Sequence, residues 1–357
     1  MRFAYSWLKI AVALVAAALG SLPAFSAQDT AEHRLANGMR VIVKPDRRAP
    51  VVVVMIWYRI GSIDEVNGTT GVAHALEHMM FKGTSTTGVG EFSRIIAAAG
   101  GRDNAFTSND YTGYFEILQK SHLELALRLE ADRMVNLTFS PEEWAKEIKV
   151  VMEERRLRTE DRPRSRVHER LMATALTAHP YRNPIIGWMS DLESMRVEDA
   201  RAFYERWYTP NNAVLVVVGD VRPEEVVALA EKYFGALGSR PLPERKPQEE
   251  PPQLGPKRVT VKAPAEQPYV VMVFRAPALR DPERDWEPYA LEMLTAVLDG
   301  NPAARLPRNL VRVERLASSA DASYDGLARG PGLFYLSATP TTGKSAADVE
   351  QGLRREM

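Results

Sequence analysis

Apolar and polar positions along the chain follow a pattern whose period changes several times. Between His33 and Lys44 apolar residues are separated by polar ones around Asn37-Gly38, the signature of a β-hairpin. Val51 to Tyr58 is an unbroken β-branched and aromatic run, which predicts a strand covered on both faces. Gly71 to Phe81 switches to three- and four-residue spacing, and Val89 to Ala99 repeats it before Gly100-Gly101, so both stretches predict helices. Asn104 to Gln119 alternates polar and β-forming residues, whereas Leu123–Asn136 and Glu142–Glu160 return to the helical period. Val197 to Trp207 reads as a helix and Tyr208-Thr209-Pro210-Asn211-Asn212 breaks it. A buried strand from Ala213 to Val218, closed by Gly219-Asp220, and a helix from Pro223 to Tyr233 complete an α+β unit.

Six prolines then fall among charged residues from Pro241 to Pro256, a composition that favours an extended linker. Beyond it, Val259-Thr260-Val261, Tyr269 to Phe274 and the helical Trp286 to Leu298 repeat the order strand, strand, helix seen near the start. The expected fold class is therefore α+β with two homologous units. The first spans residues 28–240, the linker 241–256 and the second unit 257–357. The sequence stops at Met357 within a helix predicted from Ser345 to Glu356, so the second unit is expected to be incomplete at its C-terminus.

Residues 1–27 do not fit this alternation. Arg2 and Lys9 precede an apolar run from Ile10 to Leu22, and Ala24-Phe25-Ser26-Ala27 supplies small residues, which together predict an export signal cut after Ser26 or Ala27. About 13 apolar positions are too few for a spanning helix, which needs roughly 20, so no stable membrane span is expected after cleavage and the mature protein is expected in the periplasm or outside the cell. The 46 basic and 46 acidic residues balance, and nothing in their arrangement points to a nucleic-acid partner. Arg155-Arg156-Leu157-Arg158 lies among acidic residues and reads as a solvated helix end. There are no cysteines, so any metal must be held by histidines and carboxylates.

Such donors occur at His74-Ala75-Leu76-Glu77-His78. Two histidines four apart share one helix face and can point at one ion, and Glu77 borders that face, where it can act on a water without being a ligand. This is the reverse spelling of the H-E-x-x-H zinc motif. A catalytic zinc takes three protein ligands and keeps one position open, so a third donor must come from elsewhere. The Glu142–Glu160 helix carries Glu147, Glu153 and Glu154, of which Glu147 and Glu154 share a face and Glu153 points about 100° away from Glu154. Spacing does not choose among them. His33, His122, His168 and His179 are isolated and read as structural or solvated, and Met79-Met80-Phe81 reads as core packing.

The inverted motif, followed by the Glu147/Glu154 pair, resembles the inverzincin zinc metallopeptidases, which include pitrilysin, insulin-degrading enzyme and the mitochondrial processing peptidase. Gly101 to Ser108, His179-Pro180-Tyr181 through Gly187, and Phe203 to Asn212 with Gly219-Asp220 resemble further family segments, so the likeness covers about residues 30 to 240. It implies units of processing-peptidase type, one Zn2+ per chain on His74, His78 and Glu154, Glu77 as general base and Glu147 as a supporting acid. It also implies that Asn104 and Ala105 lie on a strand that pairs with the substrate. The function expected is hydrolysis of extended peptides or small unfolded proteins by a zinc endopeptidase. The alternative is a non-catalytic peptide-binding or assembly subunit of a processing-peptidase-like complex, because a fold can outlast its chemistry.

One departure from the family implies a partner. Active members carry an arginine and a tyrosine about seven residues apart in their second half. Here Arg312 is followed by Ser318 and Ser319 where the tyrosine is expected, with Tyr324 as the other candidate. A paralogous subunit supplying the Arg/Tyr pair in a heterodimer is therefore expected.

Overall fold

The computed structural model describes residues 30–357, so the predicted export signal lies outside the described residues. The first unit is built on a six-stranded sheet of β1 (Ala31–Arg34), β2 (Arg40–Pro45), β3 (Val51–Tyr58), β4 (Arg102–Thr107), β5 (Thr112–Gln119) and β6 (Ala213–Gly219). Its spatial order is β1-β2-β6-β3-β5-β4; β2 and β6 run parallel and every other pair antiparallel. The Asn37-Gly38 hairpin forms as expected between β1 and β2. The Asn104–Gln119 alternation resolves into two strands, because Ser108 N–H donates to Tyr111 O at 2.8 Å and closes a tight turn.

Strand β3 corrects one expectation. Val52, Val54, Ile56 and Tyr58 are fully buried, but Val51 is exposed and Val53, Met55 and Trp57 are half-buried, so the run is covered on one face only. The covered face meets helices α1 (Val72–Met79), α3 (Leu123–Val135), α7 (Val197–Trp207) and α8 (Pro223–Phe234) in one continuous core. Between α1 and α3 lies α2 (Glu91–Ala98) beside β4. Helix α4 (Pro141–Arg155) starts on a Ser140 cap whose hydroxyl accepts Glu143 N–H at 3.3 Å, with Pro141 in the first turn where its missing donor costs nothing. The expected helix to Glu160 instead changes to a π-helical turn over Arg156–Glu160. Helices α5 (Pro163–Ala175) and α6 (Met189–Ser194) follow.

Residues 241–256 carry no helix or strand, and neither do Val259-Thr260-Val261, which were expected as a strand. Among the described residues no strand pairs with them: the second sheet is β7 (Val270–Ala276), β9 (Gly332–Pro340) and β8 (Ala317–Asp325), in that order and antiparallel. Helices α9 (Trp286–Asp299) and α10 (Ala346–Glu356) pack against it around a separate apolar core. The hydrophobic pattern gave no signal for β8, because short residues such as Ala317, Ala320 and Ala322 fill its buried positions.

The two units touch beside α5. Arg164 Nη2 donates to Thr339 Oγ1 at 2.9 Å, Arg329 Nη1 pairs with Asp64 Oδ2 at 2.7 Å, and Gly330 N–H donates to Tyr181 Oη at 2.9 Å. Among the described residues no helix is long and apolar enough to cross a membrane.

Candidate metal centre

Helix α1 is short and mostly buried, so its direction is fixed from outside. Val72, Ala73, Ala75, Leu76 and Met79 are buried, and burying a side chain the size of Leu76 or Met79 contributes roughly 1.5–3 kcal/mol each. The chain enters the helix at Gly71 with φ +89°, a left-handed conformation, and a Cβ there would lie 2.5 Å from Ile186 O. Only glycine fits. The exposed backbone donors of the first turn are taken by a buried carboxylate: Glu65 Oε2 accepts Gly71 N–H at 2.8 Å and Glu65 Oε1 accepts Ala73 N–H at 2.9 Å. Burial pushes the Glu65 carboxyl up to about 8, with those two donors pulling the other way. Asp191 holds the preceding turn through Thr70 Oγ1 at 2.6 Å and Thr70 N–H at 3.1 Å.

With α1 fixed, His74 and His78 turn towards α4. Nε2 of His74 lies 3.8 Å from Glu154 Oε2, Nε2 of His78 lies 3.3 Å from it, and the three donor atoms fall within 4.8 Å of one another. Ligands about 2.1 Å from a tetrahedral ion sit about 3.4 Å apart, close to the 3.3 and 3.8 Å that separate the two imidazoles from Glu154, so small side-chain movements would close this donor set on a zinc ion. Two imidazoles and a carboxylate, with no thiolate, also match a catalytic zinc in chemistry. Burial pushes the His74 pKa down to about 3, which keeps that ring neutral and its lone pair free. His74 Nδ1 is buried without a hydrogen-bond partner.

His78 is held differently. Its Nδ1 lies 2.9 Å from Glu147 Oε1, which makes Nδ1–H the donor and leaves the Nε2 lone pair free on the side of Glu154. Burial disfavours its charged form, but the Glu147 hydrogen bond and the surrounding carboxylates outweigh that and raise the pKa. Lys82 Nζ pins the other Glu147 oxygen at 2.5 Å. Burial alone would raise the Glu147 carboxyl, yet His78 and Lys82 lower it. Glu153 points away and pairs with Arg156 at 3.0 Å.

Glu77 lines the same cavity, of about 940 Å³, as the three donors. Burial raises its pKa, partly offset by a hydrogen bond from Thr107 Oγ1 to Oε2 at 2.5 Å. Asn104, Ala105, Phe106 and Thr107 line the cavity from β4, the edge of the sheet, while Arg164, His168 and Tyr269 carry its lining from α5 to the start of β7. Neither Arg312 nor Tyr324 is among the cavity residues; Arg312 lies on the π-helical turn Pro307–Val313 and Tyr324 Oη donates to Pro277 O.

Several contributors had no sequence signal of their own. Lys82, Thr107 and Arg158, whose Nη1 meets Glu154 Oε1 at 2.6 Å, act through partners distant in sequence or across a helical turn. Arg155 corrects the solvated reading of its basic run: it is buried, and its Nη1 donates to Glu169 at 2.8 Å. His168 lines the cavity, while His179 is buried and accepts Tyr181 N–H on Nδ1 at 3.3 Å. Met79 and Met80 pack in the core as expected.

Residues 40–188 match the family described as Insulinase (Peptidase family M16), and residues 194–357 match the Peptidase M16 inactive domain. The chain is 35% identical to the zinc protease PqqE of Helicobacter pylori over 80% of this chain and 64% of that protein. It is 32% identical to an uncharacterized zinc protease of Mycobacterium leprae over 85% of this chain and 68% of the relative. The chain thus spans about two thirds of the length of these relatives. A crystal structure of a protease from Helicobacter pylori superposes with a TM-score of 0.87 at 31% identity, covering 92% of this chain and 79% of that one. The periplasmic protease PqqL from Escherichia coli shares the fold, with a TM-score of 0.74 at 22% identity over 92% of this chain and 37% of that one.

Proposed function

Because the chain belongs to peptidase family M16, we propose that it is a zinc-dependent endopeptidase that hydrolyses extended peptides or small unfolded proteins. The observation that carries this reading is the convergence of His74 Nε2, His78 Nε2 and Glu154 Oε2 in a cavity lined by the edge strand β4. In this reading those three side chains hold one zinc per chain, which supplies Lewis acidity, lowering the pKa of a water in its open position and polarising a carbonyl.

The chain's own residues supply the rest. Glu77 takes the proton of the attacking water and passes it to the leaving amine, so no covalent intermediate is needed. Its carboxylate lines the cavity beside the three donors and is held by Thr107 Oγ1, which suits that task. Glu147 orients His78 through Nδ1. An extended peptide adds to the free edge of β4, where backbone pairing selects conformation and not a particular side chain.

The reading includes a second, related subunit supplying an arginine and a tyrosine to the substrate carbonyl, supported by neither Arg312 nor Tyr324 being among the cavity's lining residues. It also places the protein outside the cytoplasm, supported by Arg2, Lys9 and the apolar run that follows. The test is chelator-sensitive cleavage of an unfolded peptide, with and without such a subunit. Wild type is expected to cleave and Glu77→Gln to retain zinc but lose activity by about 10²–10⁴-fold. Glu77→Gln that cleaves normally, or that has lost its zinc, would contradict the assigned role. A chain that binds no zinc and cleaves nothing with its partner present would favour the assembly-subunit alternative.

A further inference from the structure

Thr107 occupies the last position of β4 and joins two features that the endopeptidase reading treats separately. The hairpin bond from Ser108 N–H to Tyr111 O sets the alternation of the strand: Phe106, Asn104 and Arg102 exchange bonds with β5. Asp103, Ala105 and Thr107 therefore turn their N–H and C=O groups to the unpaired edge. Ala105 confirms this phase, since its N–H is taken by the neighbouring Asn104 Oδ1 at 2.9 Å instead of by β5. The residue that presents its backbone to an incoming strand next to Ala105 is thus the one whose hydroxyl donates to Glu77 Oε2 at 2.5 Å.

That bond has a chemical consequence. A glutamate side chain has three rotatable bonds, and freezing it costs rotamer entropy. Thr107 is itself β-branched and stiff at χ1, so its hydroxyl is a fixed donor. Engaging Oε2 leaves Oε1 as the oxygen that accepts a proton from water and later returns it. Because the anchor is on β4, a substrate strand that seats there also immobilises the group that fixes the base.

Resting on the endopeptidase reading, we propose that Thr107 is a positioning residue that orients Glu77 and ties it to the substrate-pairing edge. Thr107→Val keeps the branched shape and removes the donor; Thr107→Ser keeps the donor and removes the methyl. In the assembly that gives wild-type cleavage, the valine variant is expected to lose about tenfold in kcat, the equivalent of about 1.4 kcal/mol, with KM within about twofold and zinc retained. The serine variant is expected to stay within about twofold of wild type in both constants. Crystal structures of the two variants give a readout that does not depend on turnover: the Glu77 carboxylate should be displaced or disordered in the valine variant and in its wild-type position in the serine variant. Wild-type kcat in Thr107→Val, loss of its zinc, an equal defect in Thr107→Ser, or an unmoved Glu77 in the valine crystal would each overturn the proposal. A wild-type protein that cleaves nothing would instead count against the endopeptidase reading, and the Glu77 position in the crystals would still decide the role of Thr107.

Discussion

Helices α1 and α9 each follow a long strand of their own unit, β3 and β7, yet they have opposite fates. Helix α1 is buried, capped from outside by Glu65, and faces α4, which brings Glu147 and Glu154 to its two histidines. Helix α9 presents Trp286, Tyr289, Met293 and Val297 to solvent, and its Glu292 is exposed. Among the described residues His74, His78 and Glu154 are the one group able to hold a metal, and the second unit belongs to a region matched by a family described as inactive. A metal site thus needs more than donor residues on a helix. It needs a second helix with a carboxylate at the right height, and an anchored helix end that stops the donors drifting.

The largest effect that could break this contrast is removal of the cross-helix carboxylate. Glu154→Gln is expected to weaken zinc binding by more than about 100-fold, because a neutral amide is a poor zinc ligand, while Glu292→Gln on α9 leaves zinc unchanged. Competition with a chelator measures both. Equal affinity in the two variants would remove Glu154 from the ligand set. Next comes the support of His78: Glu147→Gln should cost about 10–100-fold in metal affinity, and Lys82→Met less, since it acts one step further out. A larger loss in the lysine variant would mean that charge, not orientation, matters there.

A smaller effect is expected at the edge strand. The resemblance implies that Asn104 and Ala105 both lie on the pairing strand, and the hairpin phase gives the Asn104 N–H to β5 and turns Ala105 outwards. Ala105→Pro should therefore raise KM for an unfolded peptide about fivefold, the value of one lost hydrogen bond near 1 kcal/mol, without releasing zinc. Asn104→Pro should instead lower thermal stability by breaking the β4–β5 ladder. Unchanged kinetics in a folded Ala105→Pro protein would sink strand addition. Smallest of all is Trp286→Glu on the exposed face of α9, expected to alter stability by no more than about 0.5 kcal/mol and zinc not at all.

Much of the first unit was legible because its strands and helices keep strict periods. His74, Glu77 and His78 were legible because they sit within one helical turn, and residues so close in sequence meet whatever the fold does. Glu154 could be narrowed by helical phase to a face shared with Glu147, but only family resemblance chose between them. Thr107, Lys82 and Glu65 act through contacts between elements, for which a single sequence holds no local signal. The open face of β3 was misread for a related reason: Val53, Met55 and Trp57 have the composition of a core strand, and coverage is a property of the neighbours.

The most direct test is the zinc content and coordination of the purified chain, read by elemental analysis and X-ray absorption. The account predicts one zinc per chain bound by two imidazoles and a carboxylate in wild type and in Glu77→Gln, and its loss in Glu154→Gln. A wild-type protein without stoichiometric zinc, or one whose zinc is indifferent to Glu154, would contradict it.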